Sequence, residues 1–367
     1  MQNRRCSGVR VSISKGMVLW VANATIHSDR TCWTSPPHHA NLCEYSDFRI
    51  VKQSARGKRM PVKVAEYLGI DASKGTPIAP VDVNAGPTIP CPFRNHHCEK
   101  AKKKQQPICS VRDVGSNALW IVCEHRFCAT TPKDSPLNDH QKKILRTVTT
   151  AVFQTNLPDN EILVKREVKI PITDDSDYSA DYVMWRLNPR VGMPVGGDKA
   201  CIVEMQGGGE TTGTEHLTAK VKEWAKHPAP TNAMLMATAS TAPLVTNAWR
   251  RQQEQFLVKG SVAMLTGARM VFCVGQLLYD YLIQRLTSTN LQQLSGANWT
   301  LALFAIAEDP SAPPACAPHS IQFKLDPAKT KYTNYHSFVQ ALTNQGAPQP
   351  QVFRGDFLSL SGTIVRI

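Results

Sequence analysis

The sequence predicts an α/β fold, a mixed central sheet flanked by helices, with a cysteine-bearing module ahead of it. Three observations predict it. Residues 162–172 alternate apolar and charged side chains as a half-buried strand does. Residues 270–274 form an unbroken apolar run, the pattern of a strand buried on both faces, and a helix-spaced stretch precedes them. Cys91, Cys98, Cys109 and Cys123 fall in a polar, lysine-rich segment with too few apolar residues to fold on a core of its own.

The totals narrow the class. With 367 residues, 42% of them hydrophobic, the chain can fill a sizeable core, which excludes a disordered protein. No apolar run approaches the ~18 residues of a membrane span, and the best candidate, 270–282, is interrupted by Asp280. The expectation is an intracellular protein without a membrane partner. A formal charge of +13 suits a polyanion, because Lys and Arg that neutralise phosphates release condensed counterions. Eleven cysteines, with no convincing signal peptide, point to metal ligands and buried thiols rather than a disulfide framework.

Taken in order, residues 1–59 show little periodicity and read as a poorly ordered or spurious extension. The rival reading is a small metal-binding arm using Cys32, His38, His39 and Cys43. Residues 60–140 read as a metal-binding, DNA-contacting module: a short helical pattern at MPVKVAEYLGI, then a loop-dominated insert. Residues 141–367 read as the catalytic domain. After the 162–172 strand, 181–187 and 199–206 read as strands. Trp249, Gln253, Phe256, Leu257, Gly260 and Met264 fall at helical spacing, with Gly267 closing the helix. Residues 277–286 look helical, and 300–307 and 321–325 look like strands. Strand, long helix and buried strand together predict a parallel crossover.

The chemistry concentrates at ACIVEMQGGGETTG, residues 200–213. Strand side chains alternate faces, so Glu204 and Gln206 point the same way, at the end of an apolar run. If the 181–187 strand pairs with this one, Asp181 at its start converges with Glu204 on one hard cation, and Glu167 can join them. An aspartate followed by E-x-K is a nuclease pattern, here with Gln206 in place of Lys. Phosphodiester hydrolysis uses Mg²⁺ to polarise the phosphoryl oxygen and to supply a hydroxide near neutral pH. A glutamine amide can orient water but carries no charge.

Upstream, four thiolates around a tetrahedral cation would staple the polar segment, with Fe and Zn both suited. The spacings of six, ten and thirteen residues leave Cys128, His96, His97 and His125 as substitutes. Arg94, Lys102, Lys103, Lys104 and Arg112 crowd the same segment, and with Arg126 and Arg250 they are the candidates for DNA contact.

These constellations together resemble the NotI-like rare-cutting type II restriction endonucleases. The resemblance runs from about Pro61 to Leu325, through AEYLG, the C-P-F that opens the cysteine module, Asp181, V-E-M-Q, and the helix after it with its following strand. It implies a PD-(D/E)xK core and Mg²⁺-dependent cleavage of both strands at a GC-rich palindrome of about six to eight base pairs, leaving 5′-phosphates. It further implies a homodimer on double-stranded DNA and a bacterial cytoplasmic location. A cognate methyltransferase encoded nearby, without a stable complex, is also implied. By matching position, Asp181, Glu204 and Gln206 would be catalytic, with Glu167 matching less closely. Cys91, Cys98, Cys109 and Cys123 would hold a structural metal, iron in that family. The alternative is a non-catalytic DNA-binding protein on a degenerate nuclease fold.

Overall fold

A four-stranded antiparallel sheet opens the structure, in the order β2-β1-β3-β4. Its strands are β1 (Val62–Tyr67), β2 (Ile70–Asp71), β3 (Ile108–Asp113) and β4 (Leu119–Ile121). This computed structural model describes residues 61–85, 89–173, 176–209, 211–287, 291–294, 296, 298–312, 319–344 and 350–367. The reading of 1–59, and the arm around Cys32, lie outside them.

The stretch expected to be helical near residue 62 is β1. Val62 and Val64 alternate as strand residues do, and a register shift against β3 turns both Ala65 and Glu66 inward. The insert after it is less loop-dominated than expected. Besides β3 and β4 it carries two short helices, α1 (Glu99–Lys102) and α2 (Glu124–Cys128). Val62, Tyr67, Val111 and Trp120 pack in the same apolar cluster as Ile202 and Phe272, so the 60–140 segment shares its core with the rest of the chain.

The central sheet is mixed. Along its main path the order is β11-β10-β9-β8-β6-β5, and a short strand β7 (Met193–Pro194) pairs with β6. Helix α3 (Asp139–Phe153) leads into β5 (Ile162–Thr173), β6 (Ser176–Asn188) and β8 (Cys201–Gln206), which pair antiparallel. The chain then passes α4 (Thr214–Ala225), α5 (Asn232–Leu235) and α6 (Val245–Leu265), and returns as β9 (Arg269–Gly275), parallel to β8. Helix α7 (Gln276–Thr287) leads to β10 (Leu301–Glu308), parallel to β9, and β11 (Phe323–Thr333) closes the sheet antiparallel. Helix α8 (Tyr335–Thr343) and a hairpin of β12 (Asp356–Leu358) and β13 (Ile364–Arg366) follow.

Helices cover both faces. Ile144, Leu145, Val148 and Val152 of α3 meet Val203, Val271 and Cys273 on one side. Phe256 of α6, Leu278 of α7 and Phe338 of α8 meet Met270, Phe272 and Val274 on the other. Strand β9 is therefore buried on both faces, as its unbroken apolar run predicts. A capping box, Asn138 with Gln141, starts α3. Asp181 lies in the middle of β6 rather than at the start of a strand, because pairing with β5 extends β6 back to Ser176.

Candidate active site

A row of carboxylates crosses the sheet. The Arg166–Tyr182 and Val168–Ala180 pairs flank Glu167 on β5 and Asp181 on β6, which therefore stand opposite each other. Asp181 in turn stands opposite Glu204, one step beyond the Tyr182–Val203 pair, and Glu204 pairs with Phe272 on β9. Directly opposed like charges destabilise a sheet, so this row calls for a cation.

Lys259 of α6 supplies one. Its Nζ donates to Glu204 Oε1 at 2.7 Å and to the Ser179 carbonyl at 2.5 Å. Glu204 Oε1 also accepts the Asp181 backbone N–H, and Asp181 Oδ2 accepts the Met205 N–H at 2.8 Å. Among the described residues, the second oxygen of each carboxylate accepts no hydrogen bond. Both residues line a cleft of about 570 Å³ with Glu167, Gln206 and Gln252. Burial first, then the Asp181 charge, pushes the Glu204 carboxyl up to about 8 against the pull of Lys259. Burial raises Asp181 as well, and Glu167 adds to it.

Glu167 Oε1 accepts from the Thr130 hydroxyl at 2.9 Å. Its φ of 47° is a left-handed conformation inside a strand, at a cost on the order of 1–3 kcal/mol that the surrounding pairing sustains. Gln206 is anchored through both ends of its amide. Its Oε1 accepts from Gln252 Nε2 at 2.7 Å, and its Nε2 donates to the Gly208 carbonyl. The glycines that follow serve the protein's own packing. A Cβ at Gly208 would sit 2.4 Å from the Ile121 carbonyl, and one at Gly207 would sit 2.7 Å from the Ile121 side chain. Gly275, ending β9, lies so close that its Cβ would sit 2.0 Å from the Gly207 carbonyl.

Hard oxygens with unused lone pairs suit Mg²⁺, which is usually held by one or two carboxylates together with waters and substrate phosphates. Among the described residues, no group of three or more His, Cys, Asp or Glu side chains is placed to hold a metal ion. Cys91, Cys98, Cys109 and Cys123 are free thiols that converge without closing into such a group. Cys91 packs against the small apolar clusters that hold Cys98 and Cys109, and the Cys123 N–H donates to the Cys109 carbonyl. Burial and the neighbouring thiols raise Cys91 to about 12 and raise Cys109 also.

The basic residues divide. Arg126 is fully buried, with its guanidinium on Glu66 at 2.6 and 2.7 Å, so it is no DNA contact in this fold. Arg94 is also interior, bonded to Glu99 and His125. Arg112 forks onto Glu308 at 2.6 and 2.8 Å. In all three cases a carboxylate of the protein claims the guanidinium. Lys102, Lys103, Lys104 and Arg250 are exposed.

Sequence reasoning missed Lys259, Gln252 and Arg251, all of which line the cleft. The signal for Lys259 was present: it falls on the same helical stripe as Phe256, Gly260 and Ala263, where a lysine needs a partner. Among the described residues, no helix is long and apolar enough to cross a membrane. Comparison with known proteins finds no matching protein-family model and no curated protein of similar sequence.

Proposed function

We propose that the protein is a Mg²⁺-dependent type II restriction endonuclease that hydrolyses both strands of duplex DNA at a GC-rich palindrome of about six to eight base pairs. One observation carries this reading: Asp181 and Glu204, opposed on adjacent strands, present free carboxylate oxygens to a cleft that also holds Gln206, Glu167 and a buried lysine. The order of elements supports a PD-(D/E)xK core, with the Asp strand, the E-x-Q strand, a helix and a buried parallel strand in sequence.

Mg²⁺, when bound, supplies Lewis acidity at the phosphoryl oxygen and acidifies a water. Asp181 and Glu204 would hold it. Gln206, its amide fixed by Gln252, orients water and phosphate without contributing charge. Lys259 opposes the burial that drives Glu204 toward the neutral acid, and places a positive charge beside the reacting phosphate. The missing charge of a lysine at 206 is thus made good from α6.

The resemblance extends the proposal to a homodimer on palindromic DNA and a methyltransferase encoded nearby. It also extends it to a structural Fe or Zn on Cys91, Cys98, Cys109 and Cys123. Crowded thiols whose ionisation is suppressed by burial and by each other are relieved by a cation, which favours the thiolate.

Purified protein should linearise plasmid DNA with Mg²⁺ and leave it intact with EDTA, and mapping the ends reads out the site. Glu204→Ala should abolish cutting while duplex binding survives. Tight binding with no cleavage by the intact protein would replace this proposal with a non-catalytic DNA-binding role. Elemental analysis should find one Fe or Zn per chain, lost in Cys109→Ser.

A further inference from the structure

The acidic cleft opens into two others. On one side it shares Glu99, Glu124, His125, Met205, Gln206 and Arg251 with a groove of about 700 Å³ that runs past Gly207–Gly209 and carries Lys103, Lys104 and Lys222. On the other side, Glu167 joins it to a cleft of about 540 Å³ that carries Lys133 and Lys165. The three form a continuous trough, basic at both ends and acidic in the middle.

Those five lysines are exposed, and among the described residues none of their ammonium groups makes a hydrogen bond or ion pair. Other cations are paired: Arg112 with Glu308, Arg146 with Asp159, Lys329 with Asp280. Of the acidic residues of the first limb, Glu99 is already engaged by Arg94, while Glu124 is exposed. Asp134 and Glu167 lie in the second limb. Unpaired ammonium groups on both sides of the central cleft suit a ligand with repeating negative charge, held at either end and crossing the middle.

We infer that this trough is the track of a nucleic-acid backbone, with Lys103, Lys104 and Lys222 holding phosphates on one side of the cleft and Lys133 and Lys165 holding them on the other. The inference rests on the proposed function only in taking the central phosphate to be the scissile one. An acidic peptide is a poorer fit, because the central cleft between the limbs is lined mainly by threonine, glutamine and charged side chains and offers little apolar anchorage.

The test uses the full-length protein and a fluorescein-labelled duplex in EDTA, with affinity followed against salt. Each phosphate contact removed should lower the slope of log affinity on log salt by about 1. The Lys103→Ala/Lys104→Ala/Lys222→Ala variant should lose about 3 and the Lys133→Ala/Lys165→Ala variant about 2, while Lys74→Ala/Lys324→Ala should lose none. Unchanged slopes in both trough variants, or an equal loss in the Lys74/Lys324 control, would overturn the track. Displacement of the duplex by poly-glutamate as readily as by unlabelled duplex would overturn its assignment to nucleic acid. Failure of the two readings is distinguishable. Mg²⁺-dependent cleavage with unchanged slopes leaves the nuclease without this track; falling slopes in a protein that never cuts leave the track without the nuclease.

Discussion

Two buried ion pairs sit in one molecule and do opposite things. Arg126 and Glu66, linking α2 to β1, are both 0% exposed, while Lys259 and Glu204, linking α6 to β8, are 2% and 7% exposed. The difference that matters is saturation. Glu66 spends both oxygens: Oε1 accepts from Arg126 and the Ile321 N–H, and Oε2 accepts from Arg126 and the Ser110 hydroxyl. The Phe93 and Phe323 rings cover the guanidinium, each at 4.2 Å. Glu204 has one oxygen engaged by Lys259 and the Asp181 N–H, and the other turned toward a cleft. A sealed pair whose carboxylate is saturated locks two layers together, even with the Arg126 Nη1 group left without a partner. A half-satisfied pair beside a second carboxylate keeps capacity for something not yet bound.

The largest effect that sharpens this contrast is on stability. Arg126→Met strands a buried carboxylate and should cost about 3–5 kcal/mol in denaturant unfolding, with part of the loss recovered by adding Glu66→Gln. A loss under about 1 kcal/mol would mean that the pair is not sealed as described.

Lys259→Met should behave differently, costing only about 1–2 kcal/mol at neutral pH, because Glu204, already pushed up to about 8, takes a proton instead of remaining a stranded charge. Its effect should appear in cleavage, as a fall of about 100-fold with duplex affinity retained. An equal stability loss in the two variants would erase the distinction between the pairs.

The smallest effect concerns pH. His140, beside the sealed pair, lies against the Arg126 and Phe127 carbonyls, and burial, then the Arg126 charge, holds it down to about 3. The unfolded chain takes up this proton near pH 6.5 and the folded chain does not. Stability is therefore complete above about 6.5 and falls as pH drops toward 3. His140→Gln should flatten the melting temperature across that window, leaving any slope contributed by carboxylates.

How much of this is legible without coordinates follows from how far apart the partners lie. Gln206 shares a face with Glu204 by alternation alone, and the apolar runs of β9 and β10 announce themselves. Strand β1 was hidden because six residues with a bulge produce no clean period. Arg126 was misread because its partners lie 60 and 195 residues away, beyond the reach of any local pattern. The strained φ of Glu167 leaves no trace in residue types at all.

The contact between Gly275 and the Gly207 carbonyl has a consequence for how this mouth can change. With a hypothetical methyl only 2.0 Å from that oxygen, the ends of β8 and β9 are spaced by bare main chain. Any larger residue at 275 must lift the 207–209 segment off Ile121 and carry the Gln206 amide with it. The aperture is accordingly a fixed gauge along its β8–β9 edge.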